Sequence, residues 1–138
     1  MKILVDTNIF LDILLQRSPF FRDSHRIFKM VESGLTEGFI APITINNIAY
    51  IARKSHLPDQ IRTFLVVMAE TFTICKMDST TVARAAELDF TDIEDSLQAA
   101  MGEFHGCEFI VTSNISDYKH SPVPAISATI FLDRFTVG

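Results

Sequence analysis

Short apolar runs along this chain alternate with longer segments in which apolar residues recur at helical spacing. Residues 2–5 form the first run, and residues 38–41 and 108–111 form two more. Runs without alternating polar residues are typical of parallel strands that are buried on both faces. Between these runs lie segments whose apolar residues recur at helical spacing, for example residues 44–54 and the segment from Asp92 onwards. The pattern therefore predicts strands that alternate with helices.

This order of elements predicts a three-layer α/β/α sandwich around a mainly parallel sheet of four to five strands. Residues 71–75 have the composition of a third strand, and residues 122–126 are predicted to hold a short edge strand. We expect Ser18-Pro19 to open the second helix and Ser127 to cap the last one. Since no linker or repeat interrupts the chain, we expect one domain over residues 1–138.

The helix that begins near Asp92 is predicted to carry two carboxylates on one flank. At 100° per residue, Asp92 and Asp95 lie about 60° apart around the helix axis. Glu94 points to the opposite flank, and we expect it at the surface, as we do Asp12 in the first helix. The predicted apolar stripe of the same helix consists of Ile93, Leu97, Ala100, Met101 and Phe104.

Polar residues also follow two of the predicted strands, and ligands of parallel sheets collect at such strand ends. Asp6-Thr7-Asn8 follows the first strand, and Thr112-Ser113-Asn114 follows the fourth, with Asp117 shortly after. Carboxylates that converge without partners must bind protons or a cation, and oxygen ligands favour Mg²⁺ or Mn²⁺. A structural interpretation remains open for each acid, since Asp6 and Asp92 suit helix caps and Asp117 suits a turn.

Composition narrows the class of protein. The net charge of −5 argues against broad, non-specific adhesion to nucleic acid. The two cysteines form no Cys-x-x-Cys pair, which argues against a zinc ribbon or a disulfide scaffold and fits a reducing compartment. The N-terminal residues do not resemble a signal peptide, and no apolar run approaches the roughly 20 residues that span a bilayer. We therefore expect a soluble cytoplasmic protein that does not bind membranes.

Four motifs, in this order and spacing, resemble the PIN-domain family and, within it, the toxin-like (VapC-type) branch of small ribonucleases. They are Leu-Val-Asp-Thr-Asn at residues 4–8, Thr-Ile-Asn-Asn-Ile-Ala-Tyr at 44–50, Asp-Phe-Thr-Asp-Ile-Glu-Asp-Ser-Leu-Gln-Ala-Ala at 89–100 and Ile-Val-Thr-Ser-Asn-Ile-Ser-Asp-Tyr at 110–118. The resemblance implies an endoribonuclease that depends on Mg²⁺ or Mn²⁺. It further implies a homodimer that a small antitoxin protein neutralises.

Site residues are carried over from the resemblance position by position. The metal-binding and catalytic acids are Asp6, Asp95 and Asp117. Residues implied to support them are Asn8, Asn47, Asp92, Thr112 and Asn114. At Asn47 many family members carry Glu, so this chain has one negative charge fewer there, for which Asp92 can compensate. Candidate contacts to the RNA phosphates are Arg53, Lys54 and Lys119, of which Arg53 and Lys54 follow Asn47 on the predicted third helix.

Two other function classes compete with the nuclease. The first is a PIN-like protein that binds nucleic acid or serves as a scaffold without cleaving, which the Asn at position 47 favours. The second is a phosphoryl-transfer domain on a similar sheet. A receiver domain would need an acidic neighbour beside Asp6, and an Asp-x-Asp phosphatase would need an acid where Asn8 stands. Both versions of the second class are therefore disfavoured.

Overall fold

Strands and helices alternate along residues 1–136, the part of the chain that the computed structural model describes. The strands are β1 (Lys2–Val5), β2 (Glu37–Ile40), β3 (Thr73–Ile74), β4 (Phe109–Val111) and β5 (Ala125–Ile126). The helices are α1 (Thr7–Leu14), α2 (Phe21–Glu32), α3 (Pro42–Ala52), α4 (Pro58–Thr71), α5 (Ser79–Glu87), α6 (Ile93–Phe104) and α7 (Ala128–Phe135), and a 3₁₀ helix covers Ile115–Tyr118. Over residues 1–136, every helix is too short or too polar to cross a bilayer.

The sheet is parallel throughout, with the strand order β3-β2-β1-β4-β5. Ile3, Leu4 and Val5 of the central strand β1 are fully buried because helices cover both faces of the sheet. Ile3 and Val5 pack into a hydrophobic cluster with residues of α1, α2, α3, α4 and α7. Leu4 faces the other layer, which α6 forms with α5 packed against it. The predicted three-layer α/β/α sandwich is confirmed.

Several predicted boundaries differ from the structure, and three of the differences have a clear local cause. Helix α2 begins at Phe21, so Ser18-Pro19 lies in the turn before it. A hydrogen bond of 2.7 Å from the amide of Phe21 to the carbonyl of Arg17 closes this turn. The strand predicted over residues 71–75 shrinks to Thr73–Ile74 because α4 continues to Thr71. The strand predicted over residues 122–126 shrinks to Ala125–Ile126, since its prolines have no amide hydrogen to donate. The predicted cap of α7 is confirmed.

The predicted apolar stripe of α6 is partly wrong. Ile93 and Phe104 are 63% and 49% exposed, and the helix instead buries a face rich in small residues, with Ala99 at its centre. The buried face differs from the predicted stripe because α6 packs on two sides, against the sheet and against α5. The Ser96 hydroxyl, for example, donates to the backbone carbonyl of Ala85. The buried face of α6 therefore directs its polar side chains to both neighbours, Ser96 to α5 and Gln98 to Asp6 after β1.

Gly38 in β2 allows a close approach between the sheet and the end of α4. A Cβ atom at this position would lie 2.5 Å from a ring carbon of Phe72 and 2.8 Å from a methyl carbon of Val31. Since the Phe72 ring is buried and also packs edge-on against the ring of Phe10, it has little space to move. Only glycine fits at this point without repacking the core.

Candidate functional site

Asp6 is the first residue after β1, and three donors hold its carboxylate in place. Its Oδ1 accepts hydrogen bonds from the amide of Thr7 at 2.8 Å and from Nε2 of Gln98 at 3.0 Å. Its Oδ2 accepts one from the hydroxyl of Thr112 at 2.8 Å. Because Asp6 is only 6% exposed, these bonds replace most of its hydration. Asp6 therefore caps α1, as its structural interpretation requires, and also places a fixed carboxylate at the carboxyl edge of the sheet.

Asp92 and Asp95 come from the start of α6. Asp92 is the N-cap, and its Oδ1 accepts from the amides of Glu94 at 2.8 Å and Asp95 at 3.3 Å. The cap interpretation of Asp92 thus describes its contacts correctly. Asp95 is half-buried in the first helical turn, on the flank that Asp92 shares.

A chain of hydrogen bonds connects Asp6 with Asp95 through two residues that the sequence analysis missed. Nε2 of Gln98 donates to Asp6 and, at 3.2 Å, to the hydroxyl of Tyr118. The Tyr118 hydroxyl in turn donates to Oδ1 of Asp95 at 3.2 Å. Gln98 and Tyr118 are both buried, and Oε1 of Gln98 has no hydrogen-bond partner among the described residues. A signal existed, because Gln98 is a polar residue three positions after Asp95 on the same helix face.

The pKa of Asp95 reflects its burial and the charges around it. Burial, together with the negative charges of Asp92, Asp6 and Asp117, raises the pKa of Asp95 to about 6. The hydrogen bond from Tyr118 acts in the opposite direction and lowers the pKa of Asp95. Burial and the nearby carboxylates also raise the pKa of Tyr118 above its ordinary value, which keeps its phenol protonated as a donor. The site therefore holds more negative charge than its own residues neutralise.

An open pocket of about 420 Å³ lies beside Asp95. Asp117 lines it from the 3₁₀ helix, where its side chain is exposed, and Lys119 lines it two residues later, just after that helix. The complete lining is Asp89, Phe90, Thr91, Asp92, Asp95, Ser116, Asp117, Lys119 and His120. Of the three cations predicted to contact phosphate, Lys119 is thus the one that reaches this pocket.

Thr112 and Asn114 act together behind Asp6. The Thr112 hydroxyl donates its proton to Asp6 and accepts a hydrogen bond from the backbone amide of Asn114 at 3.0 Å. This pair of bonds fixes the rotamer of Thr112 and therefore the position of Oδ2 of Asp6. Asn8 lies half-buried in the first turn of α1, two residues after Asp6.

Asn47 contacts a carboxylate that was expected at the surface. Its Nδ2 donates to Oε1 of Glu94 at 2.7 Å, and both side chains are half-buried. The prediction that Glu94 lies at the surface was wrong, because α3 is close enough to α6 for Asn47 to reach it. Position 47 thus faces a carboxylate from α6 instead of providing one itself.

Arg53 and Lys54 lie at and beyond the end of α3. The prediction that this helix extends to residue 54 was wrong, because α3 ends at Ala52 and Lys54 lies beyond it. The Arg53 guanidinium lies 4.1 Å from the centre of the Tyr50 ring, a cation–π contact. Neither cation is among the residues that line the acidic pocket.

The donor set at this edge of the sheet fits a hard divalent cation in atom type and in charge. Asp6, Asp95 and Asp117 offer carboxylate oxygens, and their mutual repulsion is the kind of charge excess that a cation relieves. Over residues 1–136, however, no three acidic, histidine or cysteine side chains already lie at the spacing of metal ligands. Binding of a divalent cation would therefore require the carboxylates of Asp6, Asp95 and Asp117 to come closer together.

Known proteins with the same fold were found by comparison of sequence and of structure. The sequence model of the PIN domain family matches residues 2–116 of this chain. Similar solved structures include DNA-bound VapBC from Salmonella typhimurium (17% identity, TM-score 0.72, covering 93% of this chain and 98% of that one) and a toxin–antitoxin complex from Klebsiella pneumoniae (22%, 0.69, 91% and 96%). A third is VapBC2 from Rickettsia felis bound to a fragment of its promoter DNA (18%, 0.68, 92% and 98%). No significant match to a curated protein sequence was found. Since the PIN model covers most of the chain, the chain belongs to the PIN domain family.

Proposed function

We propose that this protein is a metal-dependent endoribonuclease that hydrolyses phosphodiester bonds in RNA. The observation that carries the proposal is the crowding of Asp95 by the negative charges of Asp92, Asp6 and Asp117 at the carboxyl edge of a parallel sheet. Such an excess of charge destabilises a folded protein unless a cation binds there, so it indicates a functional role. Membership of the PIN domain family supports a nuclease in particular.

Three carboxylates would hold the cation, which is Mg²⁺ or Mn²⁺: those of Asp6, Asp95 and Asp117. A bound metal of this kind polarises a phosphoryl oxygen and lowers the pKa of an attacking water molecule. The protein's own contribution is to fix the ligands. Thr112 and Gln98 hold Asp6, and Tyr118 holds Asp95.

The supporting residues have separate roles in the proposal. Asn114 orients Thr112, and Asp92 adds negative charge while it caps α6. Asn8, in the first turn of α1, is proposed to orient water beside Asp6. Lys119 is proposed to contact a phosphate of the substrate, since it lines the pocket that Asp95 and Asp117 share.

We also propose that the protein is the toxin of a toxin–antitoxin pair. The similar structures from Salmonella, Klebsiella and Rickettsia are of toxin–antitoxin complexes, and this chain covers nearly their full length. The corresponding partners are a small antitoxin protein and a second copy of this chain, in the cytoplasm. One domain over residues 1–138 is sufficient for the proposed activity.

Cleavage of a mixed-sequence single-stranded RNA in Mg²⁺, Mn²⁺ or EDTA tests the proposal. We expect cutting only with metal, and we expect Asp95→Asn to abolish it. Asp133→Asn, at an exposed aspartate of α7, is the matched control and should cut like the wild type. Intact RNA after treatment with pure, metal-loaded wild-type protein, or equal cutting by Asp95→Asn, would refute the proposal.

One observation favours a second function, in which the domain binds RNA without cleaving it. Position 47 carries Asn, and its amide is already engaged by Glu94, so α3 provides no carboxylate to the site. RNA binding that survives in EDTA, without turnover in any metal, would select this alternative.

A further inference from the structure

A second pocket, of about 320 Å³, opens beside the acidic site between α1, α2 and the start of α7. Its volume lies at the small end of the range for ligand pockets. Ile9 and Ala128 give it an apolar wall, while Thr112 belongs both to this pocket and to the hydrogen bonds around Asp6. A group seated in this pocket therefore lies directly beside the proposed catalytic carboxylates.

The pocket contains two carboxylates, each with an arginine guanidinium within 4.0 Å. Asp12, which was expected in solvent, is only 4% exposed, and its Oδ1 lies 3.9 Å from Arg17. Asp23 is half-buried and lies 4.0 Å from Arg26. Since each acid has an arginine partner, the pocket suits an uncharged ligand better than a cation.

Three hydroxyl groups of the pocket lining, those of Ser24, Thr112 and Thr129, have already committed their protons. Ser24 donates its proton to Asp12 at 3.0 Å, and Thr129 donates its proton to Asp23 at 2.6 Å. Thr112 likewise donates to Asp6. A hydroxyl carries a single proton, so these side chains and the two carboxylates can only accept further hydrogen bonds. A matching ligand must therefore present N–H or O–H donors.

Phe20 stands at the mouth of this pocket with an open aromatic face. Its side chain is 54% exposed, although it is a large apolar residue at the start of α2. Exposed aromatic rings beside a nucleic-acid site commonly stack on unpaired bases. The pocket thus combines a stacking surface, an apolar wall and, around Asp12 and Asp23, a group of side chains that can only accept hydrogen bonds.

We propose that the pocket formed by Asp12, Phe20, Asp23, Ser24 and Thr129 seats one nucleobase of the substrate and prefers guanine. The inference rests on the proposed ribonuclease function, which brings RNA to the adjoining acids. Guanine presents an N–H and an adjacent amino group on one edge, which is the largest set of neighbouring donors among the four bases. Uracil presents a single N–H between two carbonyl groups and is the poorest match.

Binding of the four nucleoside 5′-monophosphates to ¹⁵N-labelled protein in EDTA tests the pocket without requiring cleavage. We expect the guanine nucleotide to shift the amide signals of Asp23, Ser24 and Thr129 and to bind about tenfold more tightly than the uracil nucleotide. Phe20→Ala should weaken binding about fivefold or more. Phe104→Ala, at a similarly exposed phenylalanine of α6, should not change binding. Asp23→Asn, which adds amide donors, should reduce the preference for guanine.

Each result has a defined meaning. Equal binding of all four nucleotides, or shifts confined to other residues, would overturn the proposal even if metal-dependent cleavage is observed. Selective guanine binding by a protein that fails to cleave RNA would keep the nucleobase pocket and remove the nuclease. Tighter binding of N-acetylarginine amide than of any nucleotide would assign the pocket to a basic protein partner and overturn the proposal.

Discussion

Replacing Asp95 with Asn should stabilise the folded protein while it removes the proposed activity. The pKa of Asp95 rises from 3.8 to about 6 on folding because the side chain is partly buried beside Asp92, Asp6 and Asp117. A shift of about 2 units corresponds to roughly 3 kcal/mol at neutral pH. Solvent screening at a half-buried group reduces this to about 1–2 kcal/mol. We therefore expect a melting temperature about 4–8 °C higher for Asp95→Asn at pH 7.5.

The effect must depend on pH with a definite sign. Below about pH 4, Asp95 is protonated in the folded and the unfolded protein, so the variant and the wild type should have similar stability. As pH rises to about 6, the unfolded chain has released this proton and the folded protein still holds it, so the wild type loses stability. The difference in the free energy of unfolding between Asp95→Asn and the wild type should therefore grow between pH 4 and 7 and remain constant above pH 7.

Urea denaturation in EDTA at pH 4 and at pH 7.5 measures this difference. Asp133→Asn removes an exposed carboxylate and serves as the control, for which we expect little change at either pH. Addition of Mn²⁺ at pH 7.5 should stabilise the wild type and have much less effect on Asp95→Asn. If Asp95→Asn is no more stable than the wild type at pH 7.5, or gains equally at both pH values, the charge-crowding argument is wrong.

Three further substitutions test other parts of the molecule. Asn47→Glu would place a second carboxylate against Glu94, so we expect lower stability in EDTA and tighter Mn²⁺ binding by calorimetry; an unchanged affinity would remove position 47 from the site. Tyr118→Phe removes the hydrogen bond that lowers the pKa of Asp95, so the pH at half-maximal cleavage should move upwards, and an unshifted profile would contradict this role. Gly38→Ala should cost about 1–3 kcal/mol in urea denaturation because its Cβ overlaps a buried ring; wild-type stability would show that the core repacks freely.

Features that depend on neighbouring residues in the chain could be predicted from the sequence. The run Lys2–Val5 forms β1 with the predicted bounds, and Asp92 caps α6 as its position before an apolar helix indicates. The arrangement of layers followed from the alternation of these elements. The order β3-β2-β1-β4-β5 required the structure, because short apolar strands carry no signal for which strand lies beside which.

Contacts between distant segments account for the errors. Asp12 has the sequence context of a surface residue, but α2 packs over it and provides the Ser24 hydroxyl that replaces water. Glu94 is drawn in by Asn47 of another helix. Helical periodicity describes one helix alone, whereas the burial of Asp12 and of Glu94 depends on where a second helix packs against the first.

The hydrogen bonds around Asp6 also determine when the proposed active site can first form during synthesis of the chain. Thr112 and Asp6 are 106 residues apart in sequence, and Gln98 and Asp6 are 92 apart. The central strand β1 is made first, but β4, its neighbour on one side, is made late. A nascent chain therefore cannot assemble the carboxylate cluster until β4 and Thr112 have left the ribosome. Any fragment that ends before β4 should be inert in the proposed cleavage of RNA, so the proposed activity can begin only after the sheet has gained this strand.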